Sequence, residues 1–91
     1  MEILKFYIDG AWVDPVTPSS LGVVNPATEE TFARISMGTR HDVDKAATAA
    51  RRAFATWSEV SVEERLSYFR RIIEGYKRRL PELARMMALE M

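Results

Sequence analysis

The sequence has no cysteine and a single histidine, His41. Without cysteine there is no disulfide frame, no thiolate nucleophile and no thiolate-bound zinc. With one imidazole there is no His-cluster metal site, and Ser–His and Cys–His catalytic pairs are excluded as well. Long apolar runs are also missing: none approaches the roughly 20 residues that a membrane-spanning helix needs. The stretch from Met1 to Gly10 is interrupted by Glu2, Lys5 and Asp9, which excludes a signal peptide and leads to the expectation of a cytoplasmic chain with no membrane partner. Nor is there an excess of one charge, since 13 Lys and Arg balance 13 Asp and Glu. Residues 1–39 carry two cations and five anions (−3), and residues 40–91 carry eleven cations and eight anions (+3). That polarity falls short of the basic footprint of a nucleic-acid binder.

What remains is 91 residues, 47% hydrophobic and 29% charged, a composition that suits one small folded unit. Residues 1–38 read as extended structure. Lys5-Phe6-Tyr7-Ile8 and Ala11-Trp12-Val13 flank Asp9-Gly10, a pair suited to a type I′ hairpin turn because both central residues need positive φ. Pro15, Pro18 and Ser19-Ser20 make a loop. Leu21 to Val24 and Thr31 to Ser36 read as a second strand pair around the turn chemistry of Asn25-Pro26-Ala27-Thr28.

Residues 39–91 read as helical. Thr39 and Asp42 form a variant capping box, and Val43, Ala46, Ala47, Ala50, Phe54 and Trp57 share one helical face, mostly alanine and suited to close approach of another backbone. Ser61-Val-Glu-Glu64 is a second capping box. Leu66, Phe69, Ile73, Tyr76 and Leu80 then recur at steps of three and four. Pro81 cannot donate a backbone hydrogen bond, so the expectation is a break there and a third helix over 81–91, with a continuous but kinked helix as the alternative. The fold class is therefore an α+β fragment: β-hairpins followed by two or three helices, in one partial domain divided into residues 1–38 and 39–91.

No group of residues makes a catalytic site. Glu63 and Glu64 point about 100° apart on a helix and suit its N-terminus better than acid–base work. His41 has no second ligand nearby, and Gly10, Gly22 and Gly38 do not form a phosphate-cradling loop. The cations Arg65, Arg70, Arg71, Lys77, Arg78 and Arg79 read as a solvated helix face with i,i+4 pairs such as Arg70–Glu74 and Glu74–Arg78. Met86, Met87 and Met91 read as core or interface filler.

An ordered series of motifs goes further: Tyr7-Ile8-Asp9-Gly10-Ala11-Trp12-Val13, Val23-Val24-Asn25-Pro26-Ala27-Thr28-Glu29-Glu30, Asp42-Val43-Asp44-Lys45-Ala46, Ala49-Ala50-Arg51-Arg52-Ala53-Phe54, Trp57-Ser58, Glu64-Arg65, Glu82-Leu83-Ala84 and Glu90-Met91. In order and spacing it resembles the N-terminus of the NAD(P)-dependent aldehyde dehydrogenases, over essentially the whole chain. The resemblance implies the start of the cofactor-binding domain of a larger α/β fold. Members of that family oxidise an aldehyde to a carboxylic acid: a cysteine thiolate attacks the carbonyl, hydride passes to NAD or NADP, a glutamate activates water and an asparagine holds the oxyanion. Those parts lie later in the family pattern. None of Glu63, Glu64, Glu82 or Glu90 matches the catalytic glutamate, so no catalytic or cofactor-binding residue carries over. In some relatives backbone carbonyls before the Asn-Pro turn hold part of a monovalent cation site, which here falls on Val23 and Val24.

Two functional expectations result. The first is an N-terminal segment of an aldehyde dehydrogenase, inactive alone, binding neither NAD nor NADP by itself, paired with the remainder of its fold and part of a homo-oligomer. The second is a non-enzymatic helical self-association module, built on the uncovered apolar faces of residues 43–57 and 66–80.

Overall fold

A computed structural model describes residues 1–91. Five short strands precede two helices: β1 (Glu2–Ile3), β2 (Phe6–Ile8), β3 (Ala11–Val13), β4 (Ser20–Asn25), β5 (Glu30–Ser36), α1 (Arg40–Trp57) and α2 (Val62–Glu90). Both expected hairpins form. β2 and β3 pair antiparallel in a separate two-stranded sheet, with Tyr7 opposite Trp12 and their rings edge to face at 5.1 Å. Asp9 (φ 54°) and Gly10 (φ 77°) supply the two left-handed residues of the turn between them. β4 and β5 pair antiparallel from Ser20↔Ser36 to Asn25↔Glu30.

β1 is a strand that sequence patterning missed. It lies parallel to β5, with Glu2 opposite Arg34 and Ile3 opposite Ile35, giving the order β1-β5-β4. Two residues have no readable alternation, and their partner is some thirty positions away, so the pairing carries no local signature.

α1 begins at a carboxylate node. The Asp42 carboxylate accepts the Thr39 backbone N–H (2.9 Å) and the Thr39 hydroxyl (3.2 Å). It also accepts the Val16 backbone N–H at 2.9 Å, which ties the proline-containing loop to the helix. Asp42 is one of only two buried residues; the other is Ala33 in β5. α2 begins with the Ser61 hydroxyl accepting the Glu64 backbone N–H at 3.1 Å. Trp57 and Tyr68 meet with centroids 5.6 Å apart, where α1 ends and α2 begins.

The expected break at Pro81 does not occur: α2 runs unbroken for 29 residues with Pro81 inside it. A third helix over 81–91 is therefore corrected to the last part of α2, and the alternative of a continuous helix holds. The residues on both sides of the proline are good helix formers, which favours continuation over a break. The missing N–H still leaves the Lys77 carbonyl without its usual i+4 donor.

The molecule is flat and extended, 49 × 34 × 16 Å, with a radius of gyration of 16.9 Å. A compact chain of this length would have a radius near 12 Å. Its accessible surface is 7740 Å², against about 5,400 Å² for a compact monomer of 10.4 kDa. Roughly 2,300 Å² of extra surface is thus left uncovered, an amount typical of obligate interfaces.

Candidate functional site

The most built part of the chain is the junction of the β2–β3 hairpin, the loop after it and α1. The hairpin turn lies against the alanine face of the helix: Tyr7 to Gly10 and Ala46, Ala49, Ala50 and Ala53 line an open groove of about 330 Å³. Small side chains on α1 let the turn approach, and Arg52 closes it by donating to the Asp9 carboxylate. Ala46 and Ala50 of the expected α1 face line this groove, but Val43, Phe54 and Trp57 of the same face are exposed. The alanine approach surface is thus partly the expected one: Ala49 and Ala53 join Ala46 and Ala50 in the groove while Ala47 does not, and of the bulky residues only Trp57 meets another ring, Tyr68.

Asp42 is the one acid near this junction whose ionisation is clearly perturbed. The Thr39 and Val16 backbone N–H groups, with the Thr39 hydroxyl and nearby Lys45, hold its carboxyl below the usual carboxylate range against an opposing effect of desolvation. The hydrogen-bond pattern is that of a structural node: every partner belongs to the loop or the helix start, and none is a second acid or base. Sequence reasoning found the Thr39–Asp42 cap but not the Val16 contact, which joins residues 26 positions apart.

Val23 and Val24 sit where the β4–β5 ladder slips. Val23 is opposite Ala33 and Val24 opposite Thr31, with the register shift between them. A bulge of this kind frees backbone groups from regular pairing. Just beyond it the Asn25 side chain accepts the Ala27 N–H at 2.9 Å, the Asn25 carbonyl accepts the Glu29 N–H at 2.8 Å, and Glu29 takes positive φ (59°). Two carbonyls alone do not coordinate a hard cation, which needs several more oxygens, and no cluster of three or more His, Cys, Asp or Glu gathers anywhere in the chain.

Helix N-termini are the natural seats for a pyrophosphate, but both here are already supplied with negative charge. The Asp42 carboxylate occupies the first turn of α1, and Glu63 and Glu64 stand in the first turn of α2. His41, Glu63 and Glu64 are exposed and come together with no other reactive group. The i,i+4 pairs expected along α2, Arg70–Glu74 and Glu74–Arg78, do not form; the only ion pair on that helix is Arg79–Glu82, two contacts of 3.0 Å. That pairing holds the Glu82 carboxyl low and the Arg79 guanidinium high. Met86 is half-buried, while Met87 and Met91 are exposed.

A model of the Aldehyde dehydrogenase family matches residues 12–91. The chain belongs to the aldehyde dehydrogenase family. Among its relatives are 3-succinoylsemialdehyde-pyridine dehydrogenase of a Pseudomonas species, 42% identical over 87 residues, and malonate-semialdehyde dehydrogenase 2 of Shouchella clausii, 38% identical over 90 residues. Those matches take in 96% and 99% of this chain but 18% of each relative. Among solved structures, an aldehyde dehydrogenase from Bartonella henselae superposes over the whole chain with a TM-score of 0.97 and 45% identity, the chain covering 19% of it. Aldehyde dehydrogenase C of Pseudomonas syringae, solved as a mutant with NAD+ and octanal, gives 0.92 and 52% over 96% of this chain, which covers 18% of it. The chain thus spans less than a fifth of the length of these relatives and corresponds to an N-terminal segment of the family. Its strands and helices are those of the family fold, and the uncovered faces of α1 and α2 are faces on which the rest of that fold would pack.

Proposed function

We infer that this chain is the N-terminal scaffold of an NAD(P)-dependent aldehyde dehydrogenase, and that the whole protein oxidises an aldehyde to a carboxylic acid through a thiohemiacetal on a cysteine outside these residues. The observation that carries this reading is the superposition on the Bartonella henselae enzyme across all 91 residues, with a TM-score of 0.97. The Pseudomonas syringae relative holds NAD+ and octanal, which supports a nicotinamide cofactor and an aldehyde as the reactants. The role of the segment is packing. Residues 1–38 and 39–91 form two parts of one partial domain, and the Val23–Val24 bulge offers two carbonyls to a monovalent cation whose other ligands come from elsewhere in the fold. A cytoplasmic location and a homo-oligomeric whole protein complete the reading; the balanced charge and the uncovered apolar surface support them.

Fragment complementation tests it. The 91-residue chain alone is expected to produce no NADH from aldehyde and NAD. Added to a relative's enzyme from which the matching segment has been removed, it is expected to restore aldehyde-dependent NADH absorbance. Turnover by the chain alone, or no restoration although the chain binds the truncated enzyme, would overturn the proposal. A second reading, a helical self-association module, draws on the exposure of Phe54, Phe69, Ile72, Ile73 and Tyr76, each more than half accessible.

A further inference from the structure

The β2–β3 hairpin is fastened to the rest of the molecule differently at its two ends. It forms a sheet of its own, and no backbone hydrogen bond links residues 6–13 to another element. Side chains along α1 therefore hold it. Asp42 and Arg52 lie ten residues apart on that helix, about 15 Å along its axis, and each secures one end of the hairpin.

At the open end, where Phe6 faces Val13, the Asp42 carboxylate accepts the backbone N–H groups of Val16 and Thr39, each at 2.9 Å. Both donors belong to the main chain, so neither can rotate away as a side chain would. Both bonds are charge-assisted, and Asp42 is buried, where such bonds are strongest. Phe6, Val13 and Pro15 are half-buried here, and the Phe6 ring lies so near Gly38 that a Cβ on the glycine would sit 3.6 Å from its tip. The turn end is held otherwise. Its polar fastening is the Arg52–Asp9 pair, two flexible side chains that are each 63% exposed. An ion pair of that kind contributes little and is screened by salt. Ile8 is half-buried above the alanines, and their short side chains offer it little apolar area.

We propose that the β2–β3 hairpin is a strap, hinged where Asp42 holds the Val16 loop and latched where Arg52 holds Asp9. When the latch breaks, the Asp9–Gly10 turn lifts off α1 and uncovers the alanine groove, while the open end stays fastened. Ionic strength thereby controls access to that face of the helix. The proposal rests on contacts within the chain and goes beyond the dehydrogenase reading.

The test uses the full 91-residue chain. It has no cysteine, so Ala55→Cys gives a nitroxide label a single attachment point on α1, three residues beyond Arg52. Paramagnetic broadening of the Gly10 and Ala11 amides reports the distance from the helix to the turn, and hydrogen exchange at Val16 reports the hinge. With Arg52→Gln in the labelled chain, the broadening is expected to fall at least about twofold, within the roughly fivefold that an exposed ion pair can command. The labelled chain without that change should show the same fall in about 1 M salt, where the screening length is roughly 3 Å. Val16 exchange should stay slow in both cases, and Arg52→Lys, which keeps a cation, should retain most of the broadening. Broadening that survives either Arg52→Gln or high salt overturns the latch. Val16 exchange that quickens together with the loss of broadening overturns the hinge, because the hairpin then leaves α1 as a whole.

Discussion

Replacing Pro81 with alanine separates two accounts of the helical region. In the structure Pro81 lies inside α2, with nineteen residues before it and nine after it. A proline there removes one backbone hydrogen bond, to the Lys77 carbonyl, and sets its ring against that same carbonyl. Together these cost about 3 kcal/mol relative to alanine. Nine residues are too few to hold a helical arm by local interactions alone, so the arm beyond the proline is held weakly. Pro81→Ala is therefore expected to stabilise the arm by up to about 3 kcal/mol, slowing amide exchange from Leu83 to Glu90 by as much as roughly a hundredfold. Hydrogen exchange read residue by residue measures this, and far-ultraviolet circular dichroism should gain helical signal. If Pro81 instead opened a separate helix as its first residue, the same change would remove a favourable N-terminal proline, and exchange would be unchanged or faster. That outcome would refute the continuous helix.

Other expectations follow from the turn, the node and the uncovered surface. Gly10→Ala forces a Cβ into a residue with φ of 77°, which should destabilise the β2–β3 hairpin by about 1 kcal/mol; loss of the Tyr7 and Trp12 amide protection reports it, and an unchanged hairpin would argue against the type I′ turn. Asp42→Ala should release the Val16 and Thr39 amides to fast exchange while the β4–β5 ladder keeps its protection; slow Val16 exchange in the variant would disprove the node. Because the folded-state pKa of Asp42 is depressed, its contribution is complete above the ordinary aspartate value of about 3.9. It is lost as pH falls from there through the lower folded value. An NMR titration of the Val16 amide should therefore have its midpoint below the ordinary value, and a midpoint at or above it would contradict the geometry. X-ray scattering of the dilute chain should give a radius of gyration near 17 Å with dye binding to exposed apolar surface; a radius near 12 Å and no dye binding would show that the faces are covered after all.

How much of this was legible in the sequence depended on the span of each interaction. The Asp9-Gly10 turn, the Thr39–Asp42 cap and the Ser61 cap are decided within four residues, and the structure forms all three. The pairing of β1 with β5 and the Val16–Asp42 hydrogen bond join residues far apart, and nothing local announces them. Pro81 is an intermediate case. The rule that proline ends a helix is sound for a residue taken singly, but it was outweighed by strong helix formers on both sides. For the site, patterning gave the missing cysteine and the absence of a phosphate loop. It also placed Asp42, Glu63 and Glu64 in the first turns of the two helices, where the structure has them. The pairs expected along α2, Arg70–Glu74 and Glu74–Arg78, do not form, whereas Arg79–Glu82 does; exposed pairs of this kind are worth so little that sequence spacing alone does not rank them.

The same division between local and distant interactions explains the shape of the molecule. Backbone hydrogen bonding here is mostly within helices and strands, 47 of 56 bonds. Side-chain burial needs a second layer, and only Ala33 and Asp42 find one. Secondary structure without a core leaves amphipathic faces defined but unpaired, and the 3-4 repeat of α2 is the most regular of them. A segment that packed as a free-standing globule would turn Phe69, Ile73 and Leu80 inward and leave a polar outer face. Instead the chain holds these residues outward in a straight row between Arg65, Arg70 and Lys77. The row stays exposed unless another surface covers it, and the rest of the family fold, of which this chain spans less than a fifth, would be such a surface.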